Sequence, residues 1–143
     1  MIAQNVMSAK EIVITEADFD RLKALVDSPR YRTTHAASLI VLKEELDRGK
    51  VVAADSVPKG VVTMHSQVRV RDTKSDETED YTLCYPEEAD INEGKLSVLA
   101  PLGMALLGTK VGQVVKFDAP AGQRRLKVEK VLYQPEAAGD FHL

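Results

Sequence analysis

The sequence predicts an α+β protein: a short antiparallel helical hairpin of coiled-coil type, then an antiparallel β-sheet domain carrying one short helix. Three observations lead there. Two helical apolar stripes precede residue 49, each with its own start and stop signals. Beyond about residue 53 the apolar period drops to two, as half-buried strands require. Gly and Pro, which punctuate turns, become frequent only in that second part. The chain has 143 residues, 44% of them apolar and 29% charged, enough to bury a core without disulfide or metal staples. The predicted division is 1–52 for the N-terminal segment and hairpin and 53–143 for the sheet domain and tail.

Taken in order, residues 1–9 are expected to fray, and Ile12-Val13-Ile14 reads as a short strand or apolar lead-in. Thr15-Glu16-Ala17-Asp18 has the form of a helix-start box, a hydroxyl followed three residues on by an acid. Phe19, Leu22, Leu25 and Val26 follow as one stripe, and Asp27-Ser28-Pro29 stops the helix because the residue before proline is pushed out of helical angles. A second helix is predicted over Thr34–Arg48 on Leu39, Leu42 and Leu46, with Ala36 and Ile40 beside the stripe and Gly49 as a C′ glycine. At 1.5 Å per residue the arm is about 20 Å long.

Val68 and Val70 then alternate with polar residues in a strand, Asp72–Asp80 makes an acidic turn, and Tyr81, Leu83 and Tyr85 alternate in a second strand ending at Pro86. A polar loop over 87–95 leads to a strand at Leu96–Leu99. Pro101–Leu107 is a short helix with proline at its first position, where a missing N–H costs nothing, and Gly108 ends it. Val114–Phe117 and Leu126–Val131 are two more strands joined through Pro120-Ala121-Gly122, and Glu136–Leu143 is a tail.

Composition excludes several function classes. Net charge is −3, and residues 72–93 hold nine Asp/Glu against Lys74 alone, so specific binding to a nucleic-acid backbone is not expected. Aromatics are 5% with no Trp, too few for base-stacking platforms. The single cysteine, Cys84, permits no internal disulfide and no multi-Cys zinc site. Met1–Ala9 lacks the pattern of a secretory leader, and the longest apolar run, Val98–Leu107, is too short to span a bilayer and contains Pro101 and Gly103. A cytoplasmic protein with no membrane contact is expected.

No catalytic, metal or cofactor constellation emerges. His35, His65 and His142 lack metal-ligand spacing and read as surface or capping residues. The acid pairs Glu44-Glu45, Asp76-Glu77, Glu79-Asp80 and Glu87-Glu88 read as solvated, where nothing tunes a carboxyl for acid–base work. Cys84 reads as a structural thiol on the face opposite Leu83, without a nearby base. No phosphate-binding loop or dinucleotide fingerprint is present. Two surfaces suit an interaction protein. At the hairpin tip, Arg30 and Arg32 flank Tyr31, with no acid between Asp27 and Glu44. In the short helix, Leu106 and Leu107 read as core, while Leu102 and Met104 are open to either a core or a partner-facing role.

The run Leu96-Ser97-Val98-Leu99-Ala100-Pro101-Leu102-Gly103-Met104-Ala105-Leu106-Leu107-Gly108-Thr109-Lys110-Val111-Gly112, with the strand–Pro-Ala-Gly–strand unit Val114–Val131, resembles the C-terminal domain of the GreA/GreB transcript cleavage factors over roughly residues 61–133. The short hairpin, Val61-Val62-Thr63-Met64-His65-Ser66 and the ending Tyr133-Gln134-Pro135-Glu136-Ala137-Ala138-Gly139-Asp140 resemble one branch of that family, Rnk, named for regulation of nucleoside diphosphate kinase. The resemblance implies an FKBP-like sheet domain that docks at the rim of the RNA polymerase secondary channel, with the helical arm pointing into the channel. In cleavage factors a much longer arm carries acidic residues that hold a catalytic metal.

Here the arm is short and its tip is basic, and a hard cation wants several oxygen ligands. The expectation is therefore a non-enzyme that binds polymerase without stimulating RNA cleavage and competes with Gre factors. Ala100, Pro101, Leu102, Gly103 and Met104 would be the anchor, and Arg30, Tyr31 and Arg32 the second contact. Direct action on the kinase is the alternative. Prolyl isomerase activity would rest on the FKBP likeness alone, a weak warrant.

Overall fold

The computed structural model describes residues 12–140; the expectation for residues 1–9 and the role of His142 fall outside them. The arm is closed at its base by strands. β1 (Val13–Thr15) runs into α1 (Glu16–Asp27), a 3-10 turn covers Pro29–Tyr31, α2 (Ala36–Arg48) returns, and β2 (Lys50–Val52) pairs in parallel with β1, Val13 opposite Lys50 and Thr15 opposite Val52. Thr15 caps α1 by accepting the Asp18 N–H at 3.1 Å, and Ser28 caps the 3-10 turn by accepting the Arg30 N–H at 3.3 Å. Gly49 is not a left-handed terminator: its φ is −70°. A Cβ there would lie 3.2 Å from Ile12 Cγ1, so glycine serves close approach to Ile12, just ahead of β1.

Five further strands form one sheet: β3 (Gln67–Asp72), β4 (Thr78–Cys84), β5 (Lys95–Ser97), β6 (Val114–Ala119) and β7 (Gly122–Tyr133), in the spatial order β5-β4-β3-β7-β6. β3–β4, β3–β7 and β6–β7 are antiparallel, but β4 and β5 are parallel, Leu83 opposite Leu96. The sheet is thus mixed, which corrects the purely antiparallel expectation. The loop read as polar makes this possible. Its 3-10 turns at Pro86–Glu88 and Ile91–Glu93 carry the chain back to the start of β5.

α3 (Pro101–Leu106) packs across β6, and α4 (Pro135–Ala138) closes the described chain. Val68, Val70, Leu83, Leu96, Val115, Leu126 and Val128 form the sheet's buried face, and Val98 and Leu106 pack in the same cluster. The same cluster continues through Met64 and Leu99 to Leu22, Leu42, Ile12 and Ile14 of the arm, so arm and sheet share one core. Of the residues flanking the stripe of α2, Ile40 points outward, 62% exposed. The predicted tail is folded back in part: Thr63 donates to Glu136 Oε1 at 2.6 Å, Gln134 Nε2 donates to the Val61 carbonyl at 2.7 Å, and Tyr133 hydrogen-bonds Asp140.

Candidate functional site

The turn from β5 into α3 is built by its own sequence. Ser97 Oγ accepts the Leu99 N–H at 3.0 Å, turning the chain before the helix, and Pro101 occupies the first helical position. Gly103 lets α3 sit directly on β5, since a Cβ there would fall 2.0 Å from the Ser97 carbonyl oxygen. That close seating decides the open question about Leu102 and Met104. They are 6% and 7% exposed, members of the core rather than a free apolar edge. Pro101 is exposed and Ala100 half-buried, so these two form the accessible part of Ala100–Met104.

At the arm tip, Arg30 and Arg32 are exposed, and the Arg30 guanidinium lies 5.3 Å from the centre of the Tyr31 ring. Neither arginine pairs with a carboxylate among the described residues. Tyr31 is half-buried: its hydroxyl donates to Glu87 Oε2 at 3.0 Å, and its ring meets His35 edge-on at 5.8 Å. The tip therefore touches the sheet domain through Tyr31 while its two arginines face solvent.

A second group at the base of the arm escapes sequence reasoning. Asp18, in the first turn of α1, is 3% exposed. Its Oδ1 lies 3.4 Å from the Tyr85 hydroxyl, which donates, while its Oδ2 has no partner among the described residues. Burial, with Glu136 nearby, pushes the Asp18 carboxyl up to about 6, against a smaller opposing pull from His65 and Arg21. The Tyr85 phenol is driven up by the same burial and then by the Asp18 charge. Arg21 stacks 4.1 Å from the centre of the Tyr85 ring. His65 adopts a left-handed backbone, φ 67°, and its Nε2 lies 2.9 Å from Glu88 Oε1. Burial raises Glu88, but His65 and the Tyr85 N–H outweigh it and hold that carboxyl below its usual range.

His65 is thus a packed residue with an ion partner rather than a surface histidine, and Glu45 is buried rather than solvated. The sequence signal for Asp18 was present but ambiguous, because the helix-start position that makes an acid a capping partner also exposes it in most helices. Cys84 is buried, as its strand position implies, and its thiol donates to the Leu96 carbonyl at 3.6 Å. Burial pushes that thiol up, away from nucleophilic use. An open cavity of about 590 Å³ lies against Arg71, Asp76, Glu77, Thr78, Glu79 and Arg124. Its cations are already engaged, Arg124 with Asp72 and Glu79, Arg71 with Glu129. Among the described residues no cluster of His, Cys, Asp and Glu suits a metal ion, and no helix is long and apolar enough to cross a membrane.

Residues 57–133 match the family described as transcription elongation factor GreA/GreB, C-terminal, which is the class of the sheet domain. The solved structure of a prokaryotic transcription elongation factor GreA/GreB from Nitrosomonas europaea superposes with a TM-score of 0.74 at 35% identity, over 87% of this chain and 99% of that one. Residues 10–52 match the family described as Rnk N-terminus. The regulator of nucleoside diphosphate kinase of Escherichia coli K12 is 38% identical over 138 residues, 96% of this chain and all of that protein. The chain belongs to the Rnk family. The transcription elongation factor GreA of Amoebophilus asiaticus is 34% identical over 87 residues, 61% of this chain and 55% of its own. These relatives bear the names of regulators and transcription factors rather than of enzymes.

Proposed function

We propose that this protein is a cytoplasmic transcription regulator that docks on RNA polymerase at the rim of the secondary channel and does not stimulate RNA cleavage. One observation carries the reading: a GreA/GreB-class domain bears a short arm whose tip offers two unpaired guanidinium groups and no carboxylate. Arginine stays charged at neutral pH and pairs readily with acidic groups of a channel wall, whereas such a tip repels the cation a cleavage factor must hold. The anchor is Ala100–Met104, with Pro101 and Ala100 touching the polymerase and Leu102, Gly103 and Met104 fixing their position. Arg30, Tyr31 and Arg32 are the second contact. An FKBP-like form for the domain and tail over 53–143, with the N-terminal segment and hairpin over 1–52, belongs to the same reading.

The test is co-purification with core RNA polymerase, with a Gre factor as competitor. Binding that the Gre factor displaces, with no added cleavage of a backtracked complex, is the expected result. Cleavage comparable to that of a Gre factor, or no binding, overturns it. Pro101→Arg should weaken binding while leaving the monomer folded. A second reading, direct contact with nucleoside diphosphate kinase, is favoured by the name of the Escherichia coli relative. Capture of the kinase without polymerase in a pull-down would select it.

A further inference from the structure

The outward face of the sheet carries charge of a sign opposite to the chain's. Register places Arg69 opposite Lys130, Arg71 opposite Lys127 and Lys116 opposite Arg125. Between these pairs, Val68, Val70, Val115, Leu126 and Val128 turn inward, so the six cations share the solvent side of β3, β7 and β6. Like charges directly opposite one another in antiparallel strands destabilise the pair, and this face has three such pairs in a row.

Carboxylates offset only part of this. Asp80 takes Arg69 through two hydrogen bonds, at 2.8 and 3.1 Å, and Glu129 takes Arg71 at 2.7 Å. Asp118, also outward, stands at the far end opposite Gln123. Lys116, Arg125, Lys127 and Lys130 are exposed, and none makes an ion pair with a carboxylate among the described residues. Folding alone does not call for this pattern, because a threonine or glutamate at any of these positions would suit a strand and relieve the repulsion.

We propose that this face is a docking surface for an acidic segment of a partner protein. Arg125 and Lys127 lie two residues apart on one strand face, the spacing at which alternate side chains of an extended segment also repeat. An extended segment with acids at every second position matches them; Lys116 stands beside Arg125 on β6, and Lys130 continues β7 past a register shift. A long nucleic acid fits less well. The chain's net charge is −3, and the neighbouring hairpin tip, Asp76-Glu77, would repel a continuing phosphate backbone. The proposal does not depend on polymerase binding, since it concerns a different surface and fixes the chemistry of the occupant.

The experiment measures binding of a short fluorescein-labelled peptide of alternating Glu and Thr to the full chain by anisotropy, at low and moderate salt. Salt-weakened binding is expected, with a loss of about tenfold or more in the triple variant Lys116→Glu, Arg125→Glu, Lys127→Glu and no change in Lys23→Glu on the arm. A neutral double variant, Lys116→Gln with Lys127→Gln, guards against misfolding. It should bind the peptide more weakly yet melt at the same temperature or higher, because it removes repulsion from the folded state. A purely structural role would move both readouts down together and overturns the proposal. So does equal loss in Lys23→Glu. A single-stranded oligonucleotide of matched charge binding more tightly through the same residues overturns it in favour of nucleic acid. Salt-sensitive dimerisation abolished by the triple variant overturns it in favour of a second copy.

Discussion

The arm and the sheet domain bury leucine and valine alike, but they hold shape by different means. In the sheet, Val68, Val70, Leu126 and Val128 are fully buried, and register sets each against a partner on the adjacent strand. The arm has only two helices. It buries Leu22 and Leu42 completely but leaves Ile40 and Val41 in solvent. It completes its core by leaning on the sheet domain, through Asp18 and Arg21 on Tyr85, Tyr31 on Glu87 and Ile12 against Gly108. A paired helix this short is marginal alone, so the difference teaches that the arm is an annex of the sheet's core rather than an independent coiled coil.

The largest effect that would break this comparison is at the seam. At Gly108, φ is 78°, and a Cβ would fall 2.3 Å from Ile12 Cβ. Gly108→Ala should cost about 3 kcal/mol or more in urea denaturation, by combining left-handed strain with a clash. Gly112→Ala is the control: its φ is 95° but nothing lies within 4 Å, and it should cost only about 1 kcal/mol. Equal costs would mean that the seam is not packed as described.

Next in size is the contrast between Leu126→Ala and Leu22→Ala, both at fully buried positions. Each should lose roughly 2–4 kcal/mol, but hydrogen exchange should show Leu126→Ala loosening the whole chain and Leu22→Ala loosening the arm first. Global loosening by both would show the two regions to be one cooperative unit.

Asp18 sharpens the comparison through pH. Its carboxyl is raised in the folded state to about 6 from 3.8. The folded protein therefore holds that proton more tightly than the unfolded one. The resulting stability is fully present below the unfolded value and is lost as pH rises through about 6, an effect on the order of 3 kcal/mol at most. Asp18→Asn should remove that loss, so its advantage over the parent in denaturation midpoint should grow between pH 4 and pH 7. A constant difference across that range would show the carboxyl to be solvated. The smallest effect is Tyr31→Phe. Losing one exposed hydrogen bond to Glu87 should change global stability by under about 0.5 kcal/mol, while backbone exchange around Pro29–Tyr31 speeds up.

Much of the arm was legible because its determinants are local. Thr15 with Asp18 starts α1, Ser28-Pro29 stops it, and the stripe of Leu39, Leu42 and Leu46 orients α2. Strands β3, β6 and β7 follow from alternation for the same reason. What escaped depends on residues distant in sequence. The parallel seating of β5 on β4 needs the two 3-10 turns between them. The burial of Leu102 and Met104 follows from how closely Gly103 lets α3 approach Ser97. The packed state of His65 depends on Glu88 and on a left-handed backbone that glycine usually marks. Polymerase docking rests on the family and on the tip, and the basic sheet face becomes visible only once register sets Lys116 beside Arg125.

The contact of Ile12 with Gly108 also imposes an order of events during synthesis. The residue that leads into the first described strand, Ile12, is sealed by a glycine most of the chain's length away, so both helices of the arm leave the ribosome well before their seat exists. Until α3 emerges, Leu22, Leu42 and Ile12 have no lid, and a nascent chain arrested short of residue 108 should be cut readily by protease within the arm. Maturation of the finger thus waits on its own base.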